Sequence, residues 1–250
     1  MHVRLILTLL LLVPSVFIGA PADLRAQASD HATTAAVLAD LSKLAGQAHK
    51  RGDVEEEIAL RQSYSQKAWA AFALNSKSSD EYDRYYIICF NDLPLGLLLE
   101  GTRRFAEAEV VFRRNQAELA AERVAGNDIK SENQLQLARL LAREGKDQEA
   151  TNICSHWKGR MRHLAAGQDS AHIYGIPRAP ISDTPEVKVA SWDLACGKAV
   201  EGLELIEEQI SVHPQMLVSF TVLRDYYYAQ GDFQRARKAE SDGTSAVTGH

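Results

Sequence analysis

From residue 36 onward, apolar residues recur at three- and four-residue spacing in blocks of ten to twenty, separated by short polar turns that carry glycine. That period is the period of an amphipathic helix, and the blocks come in pairs. Leu95-Gly96-Leu97-Leu98-Leu99 predicts a first helix with a small residue in its middle, where a neighbour can approach closely. After a turn containing Gly101, Phe105, Ala108 and Phe112 fall at i, i+3 and i+7 and predict one face of a second helix.

The same order returns along the chain. Leu137-Ala138 and Leu140-Leu141 lead to Gly145-Lys146-Asp147, then Ala150 and Cys154, and Leu223, Tyr226 and Tyr227 lead to Gly231-Asp232-Phe233, then Ala236. Weaker copies run from Val189-Ala190 through Gly197 to Gly202 and Ile206, and from Leu41 and Leu44-Ala45 through Gly52-Asp53 to Ile58. Gly52, Gly145, Gly197 and Gly231 stand where a first helix must end, which suits the left-handed conformation of such ends. Ser131 with Gln134 and Asp53 with Glu56 read as capping boxes, and Thr184-Pro185 as an N-cap followed by proline in the first turn. The steps between hairpins are uneven, from about 34 to about 50 residues.

This grammar resembles the tetratricopeptide repeat. The closest matches are Leu95, Gly96, Phe105, Ala108 and Phe112, and then Leu223, Tyr227, Gly231, Phe233 and Ala236. The resemblance covers roughly residues 36–243 and implies an all-α, right-handed α-solenoid of about five helical hairpins, a fold that presents a concave surface to proteins or peptides. No repeat carries a terminal proline, and the first and fourth copies are degenerate. In the register of the resemblance, the lining of that groove is Leu93, Leu97 and Glu100, then Leu135, Arg139 and Arg143, then Ser191, Leu194, Thr221, Asp225 and Tyr228. Packing between hairpins is the competing role for each aliphatic among them.

The first 28 residues follow a different rule. Arg4 precedes an apolar run from Leu5 to Ile18, broken only by Thr8, Pro14 and Ser15, and Ala26-Gln27-Ala28 has the small-x-small pattern of a signal-peptidase site. The run falls short of the ~20 residues of a membrane span. We expect a signal peptide over residues 1–28, a mature repeat domain over 29–250, a periplasmic or secreted destination, no stable span after cleavage, and a bacterial source. Retention of the segment as an anchor is the alternative.

Export permits disulfides. Cys89, Cys154 and Cys196 are odd in number and form no CxxC pair, which argues against zinc and redox motifs. Lying in apolar helical patterns, they read as buried free thiols, with a Cys154–Cys196 bridge as the alternative that the register allows.

Composition adds limits. Hydrophobic residues make up 46% and charged residues 24%, which is globular, and 15 glycines with 7 prolines are too few for a turn-rich β fold. The net charge of -5, with both signs mixed along the chain, leaves no basic stretch for nucleic acid; Lys158, Arg160 and Arg162 would spread over more than one helix face. Residues 165–184, with Gly167, Gly175, Pro177 and Pro180, read as a long loop.

Candidate chemistry is sparse. Asp169, Ser170 and His172 bring together triad residue types without a nucleophile elbow, so polar loop residues account for them. No histidine pair has metal-ligand spacing, His49 among them, and Glu55-Glu56-Glu57 fits the first turn of a helix, where carboxylates complement the dipole. In the aromatic cluster of Tyr82, Tyr85, Tyr86 and Phe90, the three tyrosines share helical spacing and read as core, with an interface role as the alternative. Of the consecutive Tyr226, Tyr227 and Tyr228, at least one must face outward. The sequence thus points to a protein-binding scaffold with protein or peptide partners, no nucleic acid, no cofactor, no metal and no catalytic residue. An envelope enzyme or small-ligand binder using the 165–184 loop, and a self-associating structural subunit, are the alternatives.

Overall fold

A computed structural model describes residues 22–74, 81–121, 127–165 and 184–248. Every regular element among them is helical: α1 (Ala22–Arg51), α2 (Val54–Leu74), α3 (Glu81–Ile87), a π-helical turn (Ile88–Asp92), α4 (Leu93–Gly101), α5 (Phe105–Ala121), α6 (Asn127–Arg143), α7 (Asp147–Ala165), α8 (Pro185–Ala195), α9 (Ala199–Val212), α10 (Leu217–Gln230) and α11 (Phe233–Thr248). The all-α expectation agrees with this. The apolar run expected to belong to a signal peptide, and residues 166–183 of the expected 165–184 loop, with Asp169, Ser170 and His172, lie outside the described residues, while α1 runs on from Ala22 through Ala28.

Consecutive helices pair as α1/α2, α4/α5, α6/α7, α8/α9 and α10/α11. Gly52, Gly145, Gly197 and Gly231 have φ of 75°, 76°, 85° and 78°, the left-handed turn conformation expected of them. The α4/α5 turn departs from the rule. Its left-handed residue is Arg103, with φ of 63°, and Gly101 serves a different purpose, given below. Of the two expected capping boxes, Asp53 does cap α2, its Oδ1 accepting from the Glu56 amide at 3.1 Å. Ser131 does not cap, because α6 begins four residues earlier at Asn127. Thr184 caps α8 by accepting from the Val187 amide at 3.3 Å, with Pro185 at the first helical position.

Small residues set the pairings. A Cβ on Gly96 would fall 2.5 Å from the Phe112 ring, so glycine alone lets α5 seat this fully buried aromatic on α4. Gly202 meets Leu194 and the Ala190 carbonyl, and Gly243 meets Phe220, in the same small-against-large manner. The main core gathers Leu95, Leu99, Phe112, Leu137, Leu140 and Leu141, and a second one gathers Val187, Ala190, Ile206, Leu223 and Ala239.

Between α7 and α8, Cys154 and Cys196 form a disulfide with their Cα atoms 5.9 Å apart, which corrects the free-thiol reading for both. Cys89 is free and half-buried. Trp192 reinforces the same seam by donating from Nε1 to the Cys154 carbonyl at 3.2 Å.

Candidate functional site

The first helices of the later pairs do not stand apart. α10 returns against α4, and α4, α6, α8 and α10 touch in succession. A Cβ on Gly101 would lie 2.1 Å from the Tyr228 carbonyl, and one on Gly231 would lie 2.6 Å from the Gly101 carbonyl. The two backbones meet because neither position has a side chain.

This closure fills the predicted groove. Leu93, Leu97, Glu100, Leu135, Arg139, Leu194, Asp225 and Tyr228 are buried, and Arg143, Ser191 and Thr221 are half-buried. Glu100, fully buried, accepts from Arg139 Nη2 at 2.9 Å and Nε at 3.2 Å and from Arg143 Nη1 at 3.0 Å, and Arg143 also donates to the Ala229 carbonyl. The arginines expected to grip a ligand are therefore consumed by an internal carboxylate. Ser191 and Thr221 donate to carbonyls of their own helices. Tyr228 packs inward, whereas Tyr226 and Tyr227 are half-exposed.

Open space survives where the first helix pair faces the last. A cavity of about 130 Å³ is lined by Gly46 and His49 of α1, Glu57 and Arg61 of α2, Pro94, Leu97 and Leu98 of α4, Arg224, Asp225 and Tyr228 of α10, and Glu240 of α11. The Gly52-Asp53 turn brings His49 beside Glu57, and the return of α10/α11 brings Glu240 to its other side. The imidazole donates from Nδ1 to Glu57 Oε2 at 3.0 Å and from Nε2 to Glu240 Oε2 at 2.7 Å. Hydrogen bonds to Glu240 and Glu57 outweigh burial and raise the His49 pKa to about 9. Burial pushes the Glu57 carboxyl upward, but His49 and Arg61 prevail and hold it below its ordinary value. Glu240 is lowered chiefly by the His49 hydrogen bond. Arg61 donates from Nε to Glu57 Oε1 at 2.8 Å, and Arg224 donates to Asp225 Oδ1 at 2.7 Å. The Tyr228 hydroxyl lies 3.5 Å from His49 Nδ1, and burial raises its pKa.

The cavity is linked through Arg61 to the backbone of the π-helical turn. Arg61 Nη1 donates at 3.0 Å to the carbonyl of Phe90, which lies in the π-helical turn. That turn is fixed from below: buried Asp92 accepts from Trp69 Nε1 at 2.8 Å and from Arg114 Nη2 at 2.7 Å, and Asn91 Nδ2 donates to the Arg61 carbonyl at 3.1 Å. A π turn inserts an extra residue into the helix and shifts the face that follows. Phe90 is 59% exposed, Tyr86 46% and Tyr85 41%, so the core role expected for the tyrosines is corrected at Tyr85 and Tyr86; the side chain of Tyr82 lies outside the described set. Tyr86 and Phe90 stack with ring centroids 4.5 Å apart.

The sequence reading missed the His49 cluster. His49 and Glu57 flank a glycine turn at a spacing that brings them together, which is a usable local signal. Glu240 is 191 residues away from His49 and has none. Among the described residues, no group of three or more His, Cys, Asp or Glu is placed to hold a metal ion, and no helix is long and apolar enough to cross a membrane. The chain matches no family model, no curated protein and no solved structure.

Proposed function

We propose that this chain is an exported protein-binding scaffold of tetratricopeptide-like hairpins in a right-handed solenoid, and that its partner docks at the junction of the first and last helix pairs rather than along the filled inner face. The observation that carries the reading is the pairing of an exposed aromatic rim, Tyr86 and Phe90, with a charged recess reached through Arg61. Aromatic side chains are enriched at protein interfaces, where rigid rings bury much area at little entropic cost. Five helical pairs, three of them with small-against-large seams at Gly96, Gly202 and Gly243, support the repeat assignment. The Cys154–Cys196 bridge supports an oxidising destination outside the cytoplasm.

The test uses a photo-crosslinking amino acid at position 90 and, as a control, at Val200, an exposed apolar position on α9. A specific adduct from position 90 and not from 200, lost in Tyr86→Ala, is the expected result. Equal adducts from both positions, or none, would remove the rim as the docking surface.

A further inference from the structure

We propose that the cavity between the first and last helix pairs is a binding site for a small zwitterion, an α-amino acid of about the size of alanine. The inference goes beyond the scaffold reading and does not depend on a protein docking at the rim.

Charge is the first argument. Three cationic side chains, His49, Arg61 and Arg224, face three carboxylates, Glu57, Asp225 and Glu240. A ligand with net charge would leave an uncompensated charge in a partly buried site, whereas a zwitterion preserves the balance.

Unused hydrogen-bonding capacity is the second. Arg61 employs Nε and Nη1, which leaves Nη2, and Arg224 places both Nε and Nη2 on the single Oδ1 of Asp225, which leaves Nη1. On the acceptor side, Asp225 Oδ2 and Glu240 Oε1 receive no hydrogen bond from the described residues. A ligand carboxylate suits the two guanidinium ends, and a ligand ammonium suits the two carboxylate oxygens.

Space is the third argument. A Cβ built on Gly46 would meet nothing within 4 Å, so neither packing nor backbone geometry requires glycine there. Glycine inside a helix is nonetheless costly to helix stability. Its absent side chain leaves part of the cavity open, and Pro94, Leu97 and Leu98 offer an apolar wall for a short side chain. At about 130 Å³ the cavity approaches one of about 150 Å³ that holds benzene, which sets the ligand at about six non-hydrogen atoms.

The test is calorimetric titration of the purified protein with L-alanine, propionate and ethylamine. Alanine is expected to bind, and each singly charged analogue to bind at least tenfold more weakly. Gly46→Leu, which fills the space and keeps every charged group, is expected to weaken alanine at least tenfold with an unchanged circular dichroism spectrum. Arg224→Gln is the second variant, with the same expected loss. Propionate binding as tightly as alanine would make this a plain anion site and overturn the proposal. So would no heat with alanine, or full affinity in a folded Gly46→Leu or Arg224→Gln protein.

Discussion

His49, three residues before the turn that ends the first helix pair's first arm, donates a 2.7 Å hydrogen bond to Glu240 in the last helix of the described chain. The same ring donates to Glu57 at 3.0 Å, so one imidazolium ties α1 to both α2 and α11. Arg237 of α11 lies over the adjacent turn, its guanidinium 3.1 Å from where a Gly52 Cβ would stand. The first and last helix pairs therefore meet through charged side chains around open space, whereas α4 and α10 meet through backbone.

This arrangement makes stability depend on pH. The folded pKa of His49, about 9, lies above its ordinary 6.5, so its contribution is complete below about pH 6.5 and is lost as pH rises through 9. Glu57 and Glu240 are held below their ordinary 4.5, so the same contacts are complete above that pH and are lost as acid protonates them. The clasp is thus strongest between about pH 4.5 and 6.5. Thermal unfolding from pH 6 to 10 should show a fall in Tm of about 3–6 °C that is largely absent in His49→Gln. Identical pH profiles for the two proteins would rule out the clasp.

The internal carboxylate Glu100 predicts a much larger effect. Charge reversal of both Arg139 and Arg143 would place three carboxylates together where Glu100 is fully buried. Breaking a buried ion pair from one side costs roughly 3–5 kcal/mol. Arg139→Glu with Arg143→Glu should therefore give an unfolded or aggregated protein, and Glu100→Gln should lower the urea midpoint with a native spectrum retained. A double reversal with wild-type stability would mean that the inner face is open.

Reading the sequence succeeded where local rules decide structure. The glycine turns, the Gly96–Phe112 seam and the Thr184 cap each follow from residues a few positions apart or from one helical period. It failed where the deciding contact is distant in sequence. Gly101 looked like a turn residue, yet its carbonyl and α-carbon face Gly231, and Arg103 takes the left-handed turn position. Arg139 and Arg143 have the spacing of an exposed ligand-facing stripe, and only the position of Glu100 on another helix shows them to be internal. The exposure of Tyr85, Tyr86 and Phe90 escaped because helical spacing shows which residues share a face, not whether another helix covers that face.

The disulfide makes a prediction that is independent of the site. Cys154 and Cys196 are separated by 42 positions, and closing a loop of that length stabilises a fold by about 4 kcal/mol through the unfolded state. Reduction should lower the denaturation midpoint by a corresponding amount. Thiol titration in denaturant should find one reactive thiol before reduction and three after. Native Cys89 should react slowly, since burial pushes its pKa up to about 12. Three thiols without reductant would dismiss the bridge.

Closure of α10 on α4 can be tested at its point of contact. Gly101→Ala would place a methyl carbon 2.1 Å from the Tyr228 carbonyl, and because the obstacle is backbone it cannot rotate away. Overpacking of this kind costs about 1–3 kcal/mol, and the strain is relieved if the last helix pair swings off α4. That movement would break the Arg143 bond to the Ala229 carbonyl and separate Glu240 from His49. Gly101→Ala should thus increase the radius of gyration in small-angle scattering and abolish the His49-dependent pH profile together. Gly145→Ala is the control: its φ of 76° makes it costly as a turn residue, but a Cβ there meets nothing within 4 Å. The control should lose stability without expanding the molecule. If both variants lose stability equally and neither expands, the contact between Gly101 and Gly231 does not hold the first and last helix pairs together.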